Sequence, residues 1–325
     1  MQARFEISCL RWRAFYRLGN VATHARLSIR HFLFSKISSA PFVALRILLS
    51  FVLLFQAIQL SGEVPSLFGR LGFLQSDVND FFAISGGNLA LASQLGAFVS
   101  RLGVDDVTYM QGMFLLYTVS LASLLLGFGT RLSSISACLF HFLVFGAGHM
   151  SSYGVDRFAQ CGLFFLIWSP TERSRAGNDK KGVTSTQNFS PPAMALRGLQ
   201  LYLCIAYFGA GVAKAMGVQW WNGEAVFRAI LLTAGAPYQV IWLAHFPWLA
   251  RLSSWGTLVL EIGYPFFIWP KRTRRLWIIL TLSMHLGIAI FLGLVSFSAV
   301  MAVLTFCAFG VNESGKKDEC SGAKR

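Results

Sequence analysis

Residues 41–61 read PFVALRILLSFVLLFQAIQLS, a stretch that contains one charged side chain, Arg46. An α-helix of about 20 apolar residues is long enough to cross the hydrocarbon core of a bilayer. Similar stretches follow along the chain and are interrupted by polar segments. The sequence therefore predicts an all-α polytopic integral membrane protein. The eight predicted spans lie near 41–61, 107–127, 132–150, 154–169, 196–216, 249–269, 276–293 and 296–311.

The composition points to the same class of protein. Of the 325 residues, 55% are hydrophobic and 13% are charged, whereas a soluble domain carries about 25% charged residues. The net charge of +14 comes from basic residues in short runs beside the apolar spans. We interpret these runs as topology signals and contacts with anionic lipid, and we expect no nucleic-acid partner. The six cysteines show no CxxC or metal-ligand spacing, so we expect neither a disulfide framework nor a metal site.

The distribution of the basic residues predicts the orientation. With the N-terminus inside, most of the 28 lysines and arginines fall in segments on the inner side, as the positive-inside rule requires. We therefore divide the chain into a basic cytoplasmic arm (1–40), a transmembrane domain (41–311) and a cytoplasmic tail (312–325). A transit peptide or a membrane-surface helix is the alternative for the arm. On the outer side, segments 62–106 and 217–248 predict interfacial or re-entrant helices that form a cap.

One predicted span carries polar residues on a single helical face. Their spacing is i, i+4, i+7, i+11 and i+14, which aligns them along the helix. They could line a cavity with Lys214 near its outer mouth, or Lys214 could extend from the last helical turn to the lipid headgroups. Gly209 and Gly211 would let a neighbouring helix or a ligand approach the backbone. The face consists of Gln200, Cys204, Tyr207, Gly211 and Lys214.

Other ionisable residues also fall within predicted spans. Glu261 predicts a buried ion pair with a basic residue on the cytoplasmic side, such as Arg46 or Arg197. Asp156 and Arg157 predict a local ion pair at the outer start of the fourth span. His141 and His285 lie in mid-span, where a histidine is either a hydrogen-bonded packing residue or a ligand.

The segment 196–224, LRGLQLYLCIAYFGAGVAKAMGVQWWNGE, contains the pattern LRG…YF-x-AGV-x-K…W-x-G. This pattern resembles the core of vitamin K-dependent γ-glutamyl carboxylases and the wider family of horizontally transferred transmembrane (HTTM) domain proteins. The resemblance implies a many-helix membrane fold with a working face away from the cytosol. It also implies that Lys214 falls on the catalytic base and that His285 matches a later family histidine.

This chain departs from the carboxylase pattern at two positions. Ala213 replaces a second lysine, and Asp156 aligns with a catalytic-loop histidine. We also expect no counterpart of the large lumenal domain that holds the carboxylase's substrates. Bacterial members of the wider family include membrane proteins needed for maturation and export of a secreted peptide toxin, which is a different role.

The resemblance leaves two main functional hypotheses. The first is a carboxylase-like oxidoreductase that uses a reduced quinone (vitamin K hydroquinone or menaquinol). In it Lys214 is the base, His285 and Asp156 act with it, and the pocket includes Gln200, Tyr207, Gly211, Arg157 and Trp221. The second is an accessory protein that acts on a secreted peptide without chemistry of its own. A transporter or lipid-binding protein is a third alternative. We expect location in a bacterial inner membrane or its equivalent.

Overall fold

The computed structural model describes residues 38–69, 91–147, 152–169, 191–232 and 245–311, together with the single positions 32, 81 and 243. The regular structure in these ranges is entirely helical. The helices are α1 (Ala40–Leu60), α2 (Val64–Phe68), α3 (Leu91–Arg101), α4 (Asp106–Leu126), α5 (Thr130–Ala147), α6 (Gly154–Ile167), α7 (Pro191–Ala215), α8 (Val218–Trp221), α9 (Glu224–Leu232), α10 (Pro247–Phe267), α11 (Lys271–Leu292) and α12 (Val295–Thr305), which continues into a π-helical turn (Phe306–Gly310).

Each of the eight predicted spans coincides with one of the longer helices. Within the described residues, five of them (α1, α4, α5, α7 and α11) are long and apolar enough to cross a membrane. Of the other three, α6 has 14 residues and α12 has 11 before its π-helical turn. The third, α10, has 21 residues but carries Arg251 and Glu261. The chain is therefore a helical membrane protein with several spans, and the count of eight stays a prediction.

Local signals in the sequence set the helix ends. The side chain of Asp105 accepts a hydrogen bond of 3.0 Å from the backbone N–H of Thr108 and so caps the start of α4. Hydrogen bonds from the backbone and from the side chain of Thr108 lower the pKa of the exposed Asp105 carboxyl, because they favour its charged form. After α11, Gly293 adopts a left-handed backbone with φ of +67°, and α12 begins two residues later. A turn at Gly293 therefore separates the two helices at the predicted spans 276–293 and 296–311.

The core runs through the middle of the helix bundle. Leu49, Leu121, Leu163, Leu203 and Leu304 come from five different helices and are completely buried together. Large apolar side chains point outward on the same helices, and Ile205 on α7 is 72% exposed. Such a surface would be costly in water, whereas lipid tails solvate it. A smaller cluster of Ile230, Leu243 and Ala250 forms beside α9 and the start of α10.

Candidate functional site

The predicted polar face of α7 is a buried helix–helix interface. Gln200, Cys204 and Tyr207 are each at most 5% exposed, and Gly211 is buried as well. Lys214 is the one partly exposed member, with 28% of its side chain accessible. We call these five residues the α7 seam. The prediction that they share one face is confirmed, and they meet α10, α11 and the α12 region rather than an open channel.

Gly211 brings α7 and α10 into close contact. A Cβ atom placed on Gly211 would lie 2.9 Å from the backbone nitrogen of Ile262 and 3.0 Å from the Cβ of Glu261. Only glycine fits at this separation, as in other small-residue contacts between membrane helices. No described helix approaches Gly209, because no atom lies within 4 Å of a Cβ built there, so the predicted close helix contact occurs at Gly211 and not at Gly209. Its side of α7 faces outward.

Lys214 forms an ion pair with Glu261 across this close contact. The ammonium nitrogen lies 2.8 and 2.7 Å from the two carboxylate oxygens, and the glutamate side chain is only 8% exposed. The Nζ atom also lies 5.6 Å from the ring centroid of Trp220, within the range of a cation–π contact. A partly buried pair with this geometry fixes the position of the lysine side chain.

The predicted partners of Glu261, Arg46 and Arg197, are therefore wrong. Arg46 donates to the carbonyls of Leu124 and Leu125 at the end of α4. Arg197 donates to the Gln200 side chain at 2.7 Å and lies over the Phe32 ring. Both arginines donate hydrogen bonds to neutral oxygens, and neither contacts Glu261.

The ion pair lies at different points along its two helices. Lys214 is next to the last residue of α7, whereas Glu261 lies about 20 Å from the first residue of α10 and about 9 Å from its end. The first half of α10 therefore extends beyond α7 and packs against α8 and α9. Pro265, inside α10, lacks the N–H that would bond to the carbonyl of Glu261.

Deeper in the seam, Tyr207 joins α7 to α11 and α12. Its hydroxyl lies 2.7 Å from Nε2 of His285 and 3.2 Å from the hydroxyl of Thr305. Its ring stacks on Tyr264 of α10 with a centroid separation of 4.2 Å. Tyr207 and His285, which the quinone hypothesis assigns to one pocket, are therefore in contact, and their roles in that pocket stay predictions. Nδ1 of His285 has no hydrogen-bond partner among the described residues, so this ring nitrogen is available to a buried water or ligand.

At the other end of the seam, Gln200 contacts the π-helical turn. Its amide donates a 2.6 Å hydrogen bond to the carbonyl of Ala308. A π-helical turn changes the aim of its carbonyl groups relative to an α-helix, and Gln200 satisfies one of them. Gln200 is completely buried, so it holds helices together and does not line an accessible pocket.

Asp156 and Arg157 do not join the seam. Asp156, on α6, is 5% exposed and accepts hydrogen bonds from the backbone of Tyr153 at 2.9 Å and from Gln56 at 3.5 Å. Arg157 is exposed, and the expected Asp156–Arg157 pair is wrong for the described conformation. The first turn of α6 directs the two neighbouring side chains to different faces, so Asp156 serves as a helix cap.

Trp221 contacts the end of α7 and α10, and no contact joins it to the ion pair in the described part of the chain. Its indole N–H donates to the carbonyl of Ala215 at 2.7 Å, which satisfies one of the free carbonyls at the end of α7. Its own carbonyl accepts from the indole of Trp255 at 2.9 Å. Of the two adjacent tryptophans, Trp220 is the one near Lys214, a distinction that the sequence alone does not provide.

A second buried polar cluster lies outside the seam. Nδ1 of His141 is 2.7 Å from the Gln160 side chain, which in turn donates to the carbonyl of Cys138. The His141 ring stacks on Phe145. His141 is therefore hydrogen-bonded and packed, and its Nε2 has no partner among the described residues. The cysteines Cys138, Cys161, Cys204 and Cys307 are free.

Comparisons with known proteins give one partial similarity. No protein-family model matches the chain. A Bacillus subtilis (strain 168) protein described as uncharacterized protein YitO is 29% identical over 110 residues, which make up 32% of this chain and 35% of that protein. The match therefore spans about a third of that relative's length. No solved structure matches. The HTTM resemblance thus stays a prediction from the 196–224 segment.

The geometry of the seam limits what it can do. Among the seam residues, all of which the structure describes, only Lys214 is partly accessible, and it lies beside Glu261 and Trp220. This end offers an acid–base pair beside an aromatic ring. Proton transfer and the binding of a small polar ring are chemically possible there.

Proposed function

We propose that the chain is an HTTM-type protein with eight membrane spans, both termini cytoplasmic, in a bacterial inner membrane or its equivalent. We further propose that it carries out carboxylase-like oxidation of a reduced quinone, with the Lys214–Glu261 pair as the base. The observation that supports this activity is the pair itself, which is partly accessible at the end of an otherwise closed polar seam. Ionisable groups in this setting are costly and are retained mainly for function.

Lys214 can act as a base only when its nitrogen has a free electron pair. Glu261 provides a way to reach that state, because its oxygens at 2.7 and 2.8 Å can accept the ammonium proton directly. Low polarity around the pair favours this transfer, since it replaces two charges with two neutral groups. The neutral amine can then remove a proton from a bound hydroxyl group.

The accessible end of the seam fits the head of a reduced quinone. Lys214 and Glu261 would hold a phenolic hydroxyl, and Trp220, 5.6 Å from the ammonium, offers an aromatic face for the ring. When bound, the reduced quinone would supply electrons for the reduction of O2. Tyr207 and His285 lie deeper and would position α7 against α11. Asp156 and Arg157 are omitted from the proposed site because their contacts lie elsewhere.

The activity can be tested with purified protein. Consumption of vitamin K hydroquinone or menaquinol is measured with O2 for the wild type, Lys214→Ala and Glu261→Gln. Loss of the base is expected to slow the reaction by about 10²–10⁴-fold. Arg228→Gln, which breaks an exposed pair with Glu224 elsewhere, is the control and should keep the wild-type rate. Equal rates in all four proteins, or no activity in the wild type, would refute the proposed chemistry.

A second candidate is an accessory role in maturation or export of a secreted peptide. It is favoured by the contact of both Glu261 oxygens with Lys214, which is also the geometry of a simple clamp between α7 and α10. The double variant Lys214→Met/Glu261→Met removes the acid–base pair but keeps apolar side chains of similar length. The assay follows maturation of a small secreted precursor encoded beside this chain. If the pair is structural, maturation should continue in the double variant, whereas loss of maturation would mean that the acid–base pair itself is needed.

The proposed orientation has its own test. Single cysteines are introduced at positions 214–224 in a variant that lacks the six native cysteines, and intact cells are treated with a membrane-impermeant thiol reagent. Labelling from outside is expected. Labelling that requires access from the cytoplasm would reverse the topology without deciding the chemistry.

A further inference from the structure

An open apolar groove of about 540 Å³ lies along α10 and beside Trp221 of α8. The lining includes Trp221, Trp255, Val259, Ile262, Phe266 and Phe267. From Trp255 to Phe267 the helix rises by about 18 Å, close to the roughly 15 Å thickness of one hydrocarbon leaflet. Val259 and Phe266 are 64% and 63% exposed. The groove therefore has the length and the chemistry of a slot for one acyl chain.

A cationic side chain marks one end of the groove. Arg251 precedes Trp255 by one helical turn on the same face of α10 and is exposed. No described acidic side chain pairs with it, because Glu224 is held by Arg228 at 2.5 Å. Gly223 packs directly on Arg251, and a Cβ placed there would lie 2.6 Å from the arginine Cα. This contact fixes the base of the side chain one helical turn before Trp255, which lines the groove.

The position of Arg251 fits the level of lipid headgroups. It lies at the opposite end of α10 from the basic turn Lys271–Arg275, with Trp248 one turn before it and Trp255 one turn after it. Tryptophans concentrate at the level where the membrane meets water. A guanidinium group at this level, above an apolar slot, complements a ligand with an anionic head and a long hydrocarbon tail.

We propose that this groove binds an anionic phospholipid, with its phosphate on Arg251 and one acyl chain along α10 from Trp255 to Phe267. The proposal does not rest on the proposed quinone chemistry, because neither Lys214 nor Glu261 lines the groove. A phosphate fits the planar fork of arginine donors, and a net negative headgroup adds attraction that a zwitterionic headgroup lacks.

Lipid binding is tested by native mass spectrometry of the full chain in detergent. Phosphatidylglycerol and phosphatidylcholine with identical acyl chains are titrated separately. The wild type should bind phosphatidylglycerol about tenfold more tightly, the factor expected of one charge-assisted contact. Arg251→Gln should remove this preference, Arg251→Lys should keep part of it, and the control Arg101→Gln, at an exposed position on α3, should keep all of it. Val259→Trp, which fills the groove, should weaken binding of both lipids.

Three results would overturn the proposal. They are equal affinity of the wild type for the two lipids, an unchanged preference in Arg251→Gln, and unchanged binding of both lipids in Val259→Trp. A competition with oleate decides between lipid classes. Oleate shares the long chain and the negative charge but lacks the phosphate, so displacement of phosphatidylglycerol at equal concentration would exclude a phospholipid site.

Discussion

The close contact at Gly211 makes a sharp prediction about stability. Replacing Gly211 with alanine adds a methyl group 2.8 Å from Cγ1 of Ile262 and 2.9 Å from its backbone nitrogen. The side chain could move aside, but the backbone nitrogen belongs to α10, so the two helices must separate. Overpacking of this kind costs about 1–3 kcal/mol. The separation would also lengthen the Lys214–Glu261 contact.

Gly209→Ala is the matched control, because it makes the same chemical change two residues away, where no atom lies within 4 Å. Alanine is favoured over glycine in a helix by about 1 kcal/mol, a gain common to both variants. The free energy of unfolding of Gly211→Ala should therefore be lower than that of Gly209→Ala by about 1–3 kcal/mol.

Thermal unfolding in detergent measures the difference. A thiol-reactive dye that reports exposure of the buried Cys138, Cys204 and Cys307 provides the signal. The unfolding temperature of Gly211→Ala should lie several degrees below that of the control. If Gly211→Ala unfolds at or above the temperature of Gly209→Ala, the spacing of α7 and α10 does not depend on this glycine.

Three further predictions concern single contacts. Glu261→Gln should destabilise the protein by about 3–5 kcal/mol, because it leaves the Lys214 charge without its partner. The double variant Glu261→Gln/Lys214→Met should recover much of this loss. Thermal unfolding measures both variants, and losses that simply add would argue against an interaction between Lys214 and Glu261. Gln200→Leu should lower the free energy of unfolding by about 1–3 kcal/mol, because it leaves the Ala308 carbonyl without its hydrogen-bond donor. An unchanged unfolding temperature in the same assay would contradict this prediction and would mean that water replaces the amide. The Asp105 cap should stabilise the folded protein fully at pH values above the ordinary pKa of the carboxyl, and this stabilisation should disappear as the pH falls through the lowered folded-state pKa. Asp105→Asn keeps a capping side chain that does not titrate. Its unfolding free energy, measured over an acid titration, should therefore lack this pH-dependent loss.

Much of the fold could be predicted from local features of the sequence. Apolar stretches and their breaks located the long helices within a few residues, since a membrane helix must satisfy its own backbone and present an apolar surface. The helical repeat also placed Gln200, Tyr207 and Lys214 on one buried face, because that inference depends only on spacing along a single helix.

The partners across the helix interfaces could not be predicted in the same way. Glu261 pairs with Lys214 because the end of α7 lies beside the second half of α10, and this offset depends on packing between two helices. Nothing in either helix alone specifies it. For the same reason, the sequence did not show that Gly209 faces outward, that Gln160 binds His141, or that Asp156 and Arg157 point apart.

The offset of α7 and α10 also has an electrical consequence. Lys214 and Glu261 bring opposite charges to one depth in the bundle, so a voltage across the membrane does almost no net work on the intact pair. Neutralising either residue leaves a single charge in the field, where a full crossing corresponds to about 2.3 kcal/mol per 100 mV. A single-site variant would therefore respond to the energised state of the membrane, and the wild-type site would not.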